Sequence, residues 1–115
     1  MTWVNLDDMM PDHPKISRLS DGAFRLHVAG VCYCNRHLSD GLIDADEVPR
    51  LVRKFRRDAL NELVDNGIWD HLQIGSGPEL YSIHDFLDWN DPREVVLARR
   101  ERAKERAARS RGQSA

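Results

Sequence analysis

Long apolar runs are missing from this 115-residue chain. No stretch approaches the roughly eighteen apolar residues of a membrane-spanning helix, so no membrane association is expected. The opening Met1-Thr-Trp-Val-Asn-Leu-Asp-Asp8 has neither a basic region nor an apolar core, so a secretory signal is not expected either. Cysteine is scarce, with only Cys32 and Cys34, two positions apart in a helical pattern. On a helix such side chains point about 200° apart, which excludes a mutual disulfide. Reduced thiols in a cytoplasmic protein are the expectation.

Reactive constellations are equally thin. There is no glycine-rich phosphate loop and no evident nucleophile with a partner. His84 stands beside Asp85, but neighbours on a strand face opposite sides and are poorly placed to pair. The stretch Asp7 to Pro14 gathers three carboxylates and His13, a mixture that turn chemistry alone explains. His27, Cys32, Cys34 and His37 match no zinc spacing. The sequence therefore predicts no enzyme, no metal and no cofactor.

What is present is charge, unevenly placed. Residues 1–92 carry nine Lys/Arg against sixteen Asp/Glu, whereas residues 93–115 carry eight against three. An acidic body with a basic tail is the expected organisation, and such tails find polyanions. At this length the body holds one modest core, so the domains are read as 1–92 and 93–115.

Local signals give the body its order. Thr2 to Leu6 suits a short strand. Ser20 is a natural N-cap, Asp21 suits a helix N-terminus and Leu19 can staple Phe24, opening a helix that runs to about Leu38. Its apolar residues cover most of the circumference, which predicts a central buried helix with Arg25 and Arg36 exposed. Leu42-Ile43 reads as a very short strand. A short helix follows and ends near Val52-Arg53, capped either by Asp44, which forms a capping box with Glu47, or by Asp46, which would put Pro49 in the first turn. The third helix has Leu60, Leu63 and Val64 on one face and stops at Asn66-Gly67, while Phe55 staples its first turn. Ile68, Leu72 and Ile74 share one parity, and Leu80, Tyr81 and Ile83 follow the Gly75-Ser76-Gly77-Pro78 turn. Asp91 and Pro92 open the last segment, whose Ala, Arg, Lys and Glu predict a partly formed helix or a fraying tail without an apolar stripe. Helix, strand, helix, helix and hairpin together give an α+β class: a winged helix-turn-helix, with a three-helix core, a β-hairpin wing and a basic helical tail.

The run Asp58-Ala-Leu-Asn-Glu-Leu-Val-Asp-Asn-Gly-Ile-Trp69, followed by Tyr81-Ser-Ile-His-Asp-Phe-Leu-Asp-Trp-Asn90, resembles the N-terminal winged-helix module of phage and prophage replication proteins of the initiator and replisome-organiser type. Trp3-Val-Asn-Leu-Asp-Asp8 and Leu19-Ser-Asp-Gly-Ala-Phe-Arg-Leu26 are similar to actinobacterial and actinophage members of that group. The likeness spans roughly residues 2–92 and rests on structural motifs. It implies DNA binding or assembly at a replication origin, with a replication protein as a further partner.

The residues themselves refine that expectation. The third helix turns Asp58, Asn61, Glu62 and Asp65 away from its apolar face, and three carboxylates are repelled between the phosphate rows of a major groove. Only Asn61 suits a base edge. Basic residues gather instead at the helix's N-terminal end, as Arg50, Arg53, Lys54, Arg56 and Arg57. That corner, the wing tip at Ser76 and the tail residues Arg99, Arg100, Arg102, Lys104, Arg106, Arg109 and Arg111 form the expected contact set for double-stranded DNA. A second reading makes the chain a protein–protein adaptor that uses the acidic third-helix face, with a tail that only aids solubility. Homodimerisation is compatible with either.

Overall fold

The computed structural model describes residues 3–73, 75–84, 86–90 and 92–113. It is an α+β arrangement with a three-stranded antiparallel sheet. The elements are α1 (Pro14–Ser17), α2 (Asp21–His37), β1 (Leu42–Asp44), α3 (Arg57–Asp65), β2 (Trp69–Gln73), β3 (Glu79–Ile83), α4 (Phe86–Trp89) and α5 (Arg93–Gln113). Single 3-10 turns lie at Met10–Asp12 and Val48–Arg50.

Helix α2 starts where its cap is. The Ser20 hydroxyl accepts from the Ala23 amide at 3.2 Å, and Asp21 sits in the first turn. The helix ends at Leu38, whose φ of 52° is left-handed. It buries one stripe, Ala23, Leu26, His27, Gly30, Val31 and Cys34, rather than its whole circumference. Phe24, Val28, Ala29, Cys32 and Tyr33 are half-buried. That stripe faces α3 and the sheet, and the N-terminal arm adds a contact in which Asn35 Nδ2 donates to the Trp3 carbonyl at 3.3 Å.

The expected helix over residues 44–53 is reduced to the Val48–Arg50 turn. Arg50 and Leu51 donate to the carbonyls of Glu47 and Val48, three residues back, so the chain never settles into α-helical bonding. Pro49 lacks the N–H that a longer helix would use. Neither Asp44 nor Asp46 caps it; the residue at the cap is Glu47, without a side-chain bond. Of the three core helices anticipated, the middle one is therefore only a turn. No strand forms over the described part of residues 2–6.

Helix α3 buries Ala59, Leu60 and Leu63, with Val64 half-buried and Phe55 packed against the same core. Its end is fixed by two bonds, Gly67 N–H to the Val64 carbonyl at 3.0 Å and Ile68 N–H to the Leu63 carbonyl at 3.0 Å. They require the positive φ of Gly67, 73°. The chain leaves this stop directly into β2.

The strand order is β1-β3-β2, with Ile43 opposite Tyr81 and Trp69 opposite Ile83. These four side chains are buried, so the inward parity of the hairpin is Trp69, Tyr81 and Ile83. Leu72 lies opposite Leu80 on the outer face, and Leu72 is exposed. The parity expected from Ile68, Leu72 and Ile74 thus fails within β2. Ile68 is buried just before the strand begins, and Ile74 lies outside the described residues.

Trp69 anchors this sheet to α2. Its indole N–H donates to His27 Nδ1 at 3.0 Å, and both groups are buried. A Cβ on Gly30 would stand 2.5 Å from the indole Cζ2, so the ring lies directly on the helix backbone. Burial in this contact pushes His27 down to about 4.

Candidate nucleic-acid interface

The connection from the Val48–Arg50 turn into α3 carries the basic corner. Arg50 pairs with Glu47 at 3.3 Å on the surface, a contact of small energetic value. Arg53 and Lys54 are exposed, with no ion-pair partner among the described residues. Arg56 is the N-cap of α3 in an extended conformation, and no side chain caps the helix there. Arg57 occupies the first helical position, its guanidinium 5.9 Å from the centre of the Phe55 ring. Uncapped amides, a positive dipole end and the four exposed cations Arg53, Lys54, Arg56 and Arg57 therefore coincide at the start of α3, with Asp58 in its first turn.

The outward face of α3 is acidic but less uniformly so than its sequence suggests. Asp58, Asn61 and Asp65 are exposed. Glu62 is half-buried, and its Oε2 accepts the Ser20 backbone N–H at 2.7 Å. This carboxylate serves the N-terminus of α2, where a negative charge is favourable. Sequence reasoning counted it as part of the solvent face because its partner lies 42 residues away.

Arg36 joins the corner from another element. A shallow depression of about 370 Å³ is lined by Tyr33, Arg36 and His37 of α2 together with Glu47, Arg50 and Leu51. Tyr33 stacks on His37 with ring centres 4.3 Å apart. Desolvation, then the charges of Glu47 and Asp44, raise the Tyr33 hydroxyl above its ordinary range. Arg36 was legible as an exposed helix residue; its neighbourhood with Arg50 was not, because β1 intervenes in sequence.

Ser76 is exposed in the turn between β2 and β3. Beyond the sheet, Arg93 starts α5, and its N–H donates to Asp40 Oδ1 at 2.7 Å. Asp40 thus satisfies one amide at the start of α5; the cap expected at Asp91 lies outside the described residues. The basic segment, expected to form a partial helix or to fray, is one continuous helix of 21 residues. Every side chain described from Leu97 to Gly112 is exposed, so Arg99, Arg100, Arg102, Lys104, Arg106, Arg109 and Arg111 all face solvent. Arg109 pairs with Glu105 at 3.8 Å, one turn away. The helix takes the molecule to 60 Å in its longest dimension.

Elsewhere, an open groove of about 510 Å³ runs beneath the N-terminal arm, with His13, Lys15, His27, His84 and Asn90 among its polar walls. The arm is held over it by the Asn5 N–H, which donates to Asn90 Oδ1 at 3.1 Å. His84 faces Asp70 at 3.3 Å, and Asp85 lies outside the described residues. Among the described residues no serine, threonine or cysteine lines this groove. Among the described residues no three His, Cys, Asp or Glu side chains gather as a metal site, and no helix is long and apolar enough to cross a membrane. Cys34 is buried, which pushes its thiol up to about 11, and both cysteines are free.

Comparison with protein-family models, with curated proteins and with solved structures gives no significant match.

Proposed function

We propose that the chain is a small DNA-binding protein of the winged-helix type, contacting the phosphate backbone of double-stranded DNA through its basic corner and tail. Within that reading α2, the Val48–Arg50 turn and α3 take the place of the three helices, and β2–β3 is the wing. The order of elements and the β1-β3-β2 sheet support it. The resemblance to phage and prophage replication modules supports a role in replication or its regulation, with a replication protein as a further partner. The observation that carries the DNA assignment is the set of exposed cations, Arg53, Lys54, Arg56 and Arg57, at the N-terminus of α3, where no side chain makes a capping bond. Backbone contacts of this kind fix orientation without reading sequence.

The test is fluorescence anisotropy of a labelled random duplex with the full chain across a salt series. Arg53→Glu with Arg57→Glu is expected to weaken binding at least about tenfold and to flatten the salt slope. Affinity untouched by the double reversal would remove the corner from the interface. The second reading, a protein–protein adaptor, is favoured by the exposed Asp58 and Asp65 on α3. It predicts no duplex binding at low salt, and capture of a basic partner that Asp58→Lys with Asp65→Lys abolishes.

A further inference from the structure

Helix α5 has a charge pattern that its composition conceals. At about 100° per residue, the exposed Ala103, Ala107 and Ser110 share an arc of about 60°, with the half-buried Val96 on the same arc nearer the start of the helix. Arg99 and Arg106 border this strip on one side, and Arg100, Lys104 and Arg111 on the other. Glu94, Glu101 and Glu105 cluster about 170° from the strip's centre. Arg102 and Arg109 lie between the first border and the glutamates, which is why Arg109 reaches Glu105. One face is thus small in the middle and cationic along both edges, while the back is acidic.

We propose that α5 is a major-groove helix for B-form DNA, resting on the DNA-binding reading above. A groove about 12 Å wide admits one helix, and its two walls are rows of phosphates. Cations along both edges of a helix face meet both walls, and a strip of alanine and serine lets the backbone approach the groove floor. The acidic back then points to solvent. Three alternatives fit less well. Single-stranded nucleic acid is gripped by stacking on aromatic rings, and residues 93–113 contain none. The deep, narrow major groove of duplex RNA excludes a helix. The outward face of α3 brings Asp58 and Asp65 to the phosphates, whereas that of α5 brings cations. The 21 residues span about 31 Å, close to one turn of duplex. Alanine contacts thymine methyl groups and serine accepts several base edges, so sequence preference is weak.

The full chain is titrated against a random DNA duplex, the matching single strand and an RNA duplex by anisotropy. Three variants are compared, all on exposed positions: Arg100→Ala with Lys104→Ala and Arg106→Ala at the edges, Ala103→Leu with Ala107→Leu in the strip, and Ala98→Leu with Ala108→Leu on the back. The DNA duplex is expected to bind tightest. The edge variant should lose at least about tenfold and about three units of salt slope, since each phosphate contact contributes about 0.9. The strip variant should lose a similar factor through bulk alone, and the back variant should stay within about twofold. Methylation of guanine N7 in the probe should weaken the parent chain several-fold. Equal binding by strip and back variants, indifference to N7 methylation, or equal affinity for single strands would overturn the groove assignment. If only the Arg53 and Arg57 reversal matters, α5 falls and the corner stands. If the parent binds no nucleic acid at low salt, both readings fall together.

Discussion

Helices α2 and α5 are of similar length and differ in almost everything that holds them. Helix α2 has a side-chain cap, a buried stripe and a tryptophan seated on its backbone. Helix α5 borrows one capping oxygen from Asp40, half-buries Val96 and leaves the rest in water. The first is fixed by what it excludes from water, the second by propensity and charge. Substitutions in α2 should therefore be felt as stability, and substitutions in α5 as affinity. That division can be broken experimentally.

The largest effect is expected at Trp69. Trp69→Ala removes a fully buried indole and leaves His27 Nδ1 without its donor, a loss of about 3–5 kcal/mol in denaturant unfolding. A loss below about 1 kcal/mol would show that the sheet does not depend on this contact.

Acid comes next. His27 titrates at about 4 in the folded chain against 6.5 when unfolded, so between these values the unfolded chain binds the extra proton. The stabilisation is complete above pH 6.5, erodes as pH falls and is gone below about 4, amounting to roughly 3 kcal/mol. His27→Leu should lower stability at pH 7 by leaving the indole N–H unpaired, and should flatten the slope of stability between pH 7 and 5. A slope unchanged by the substitution would assign the acid sensitivity to other groups.

Glycine gives a smaller effect with opposite signs at two positions. Gly30→Ala gains helix propensity but drives a Cβ into the Trp69 ring, for a net loss of about 1–3 kcal/mol. Gly22→Ala meets nothing within 4 Å and should stabilise by about 0.5 kcal/mol. Chemical denaturation of the pair separates close packing from propensity.

The smallest effect belongs to α5. Arg100→Ala with Lys104→Ala and Arg106→Ala should leave the unfolding free energy within about 0.5 kcal/mol, since these side chains touch no core. A larger loss would mean that α5 packs on the body in solution, and the contrast between the helices would weaken.

Short-range chemistry was readable in the sequence wherever one local interaction decided the outcome. Ser20 had its acceptor role within three residues, and Asn66-Gly67 needed only a left-handed glycine to stop α3. Cations at the start of α3 were equally visible, because clustering along the chain is clustering in space at a helix end. Pro49 shows the limit. Both starts weighed for its helix assumed that a helix would form, whereas three-residue bonding was enough for the chain to turn. The outer position of Leu72 shows another: β2 takes its parity from Trp69, which had to fit the gap at Gly30.

By itself the sequence determined the charge segregation, the Ser20 cap, the Asn66-Gly67 stop and the α+β class, since these rest on composition and on neighbours within a turn or two of chain. Tertiary structure alone decided that Trp69 meets His27, that Glu62 serves α2 rather than solvent, that Asp40 starts α5, and that Arg36 lies beside Arg50. Those partners are separated by 14 to 53 residues. No local periodicity can join groups so far apart; only burying one shared core brings them within reach.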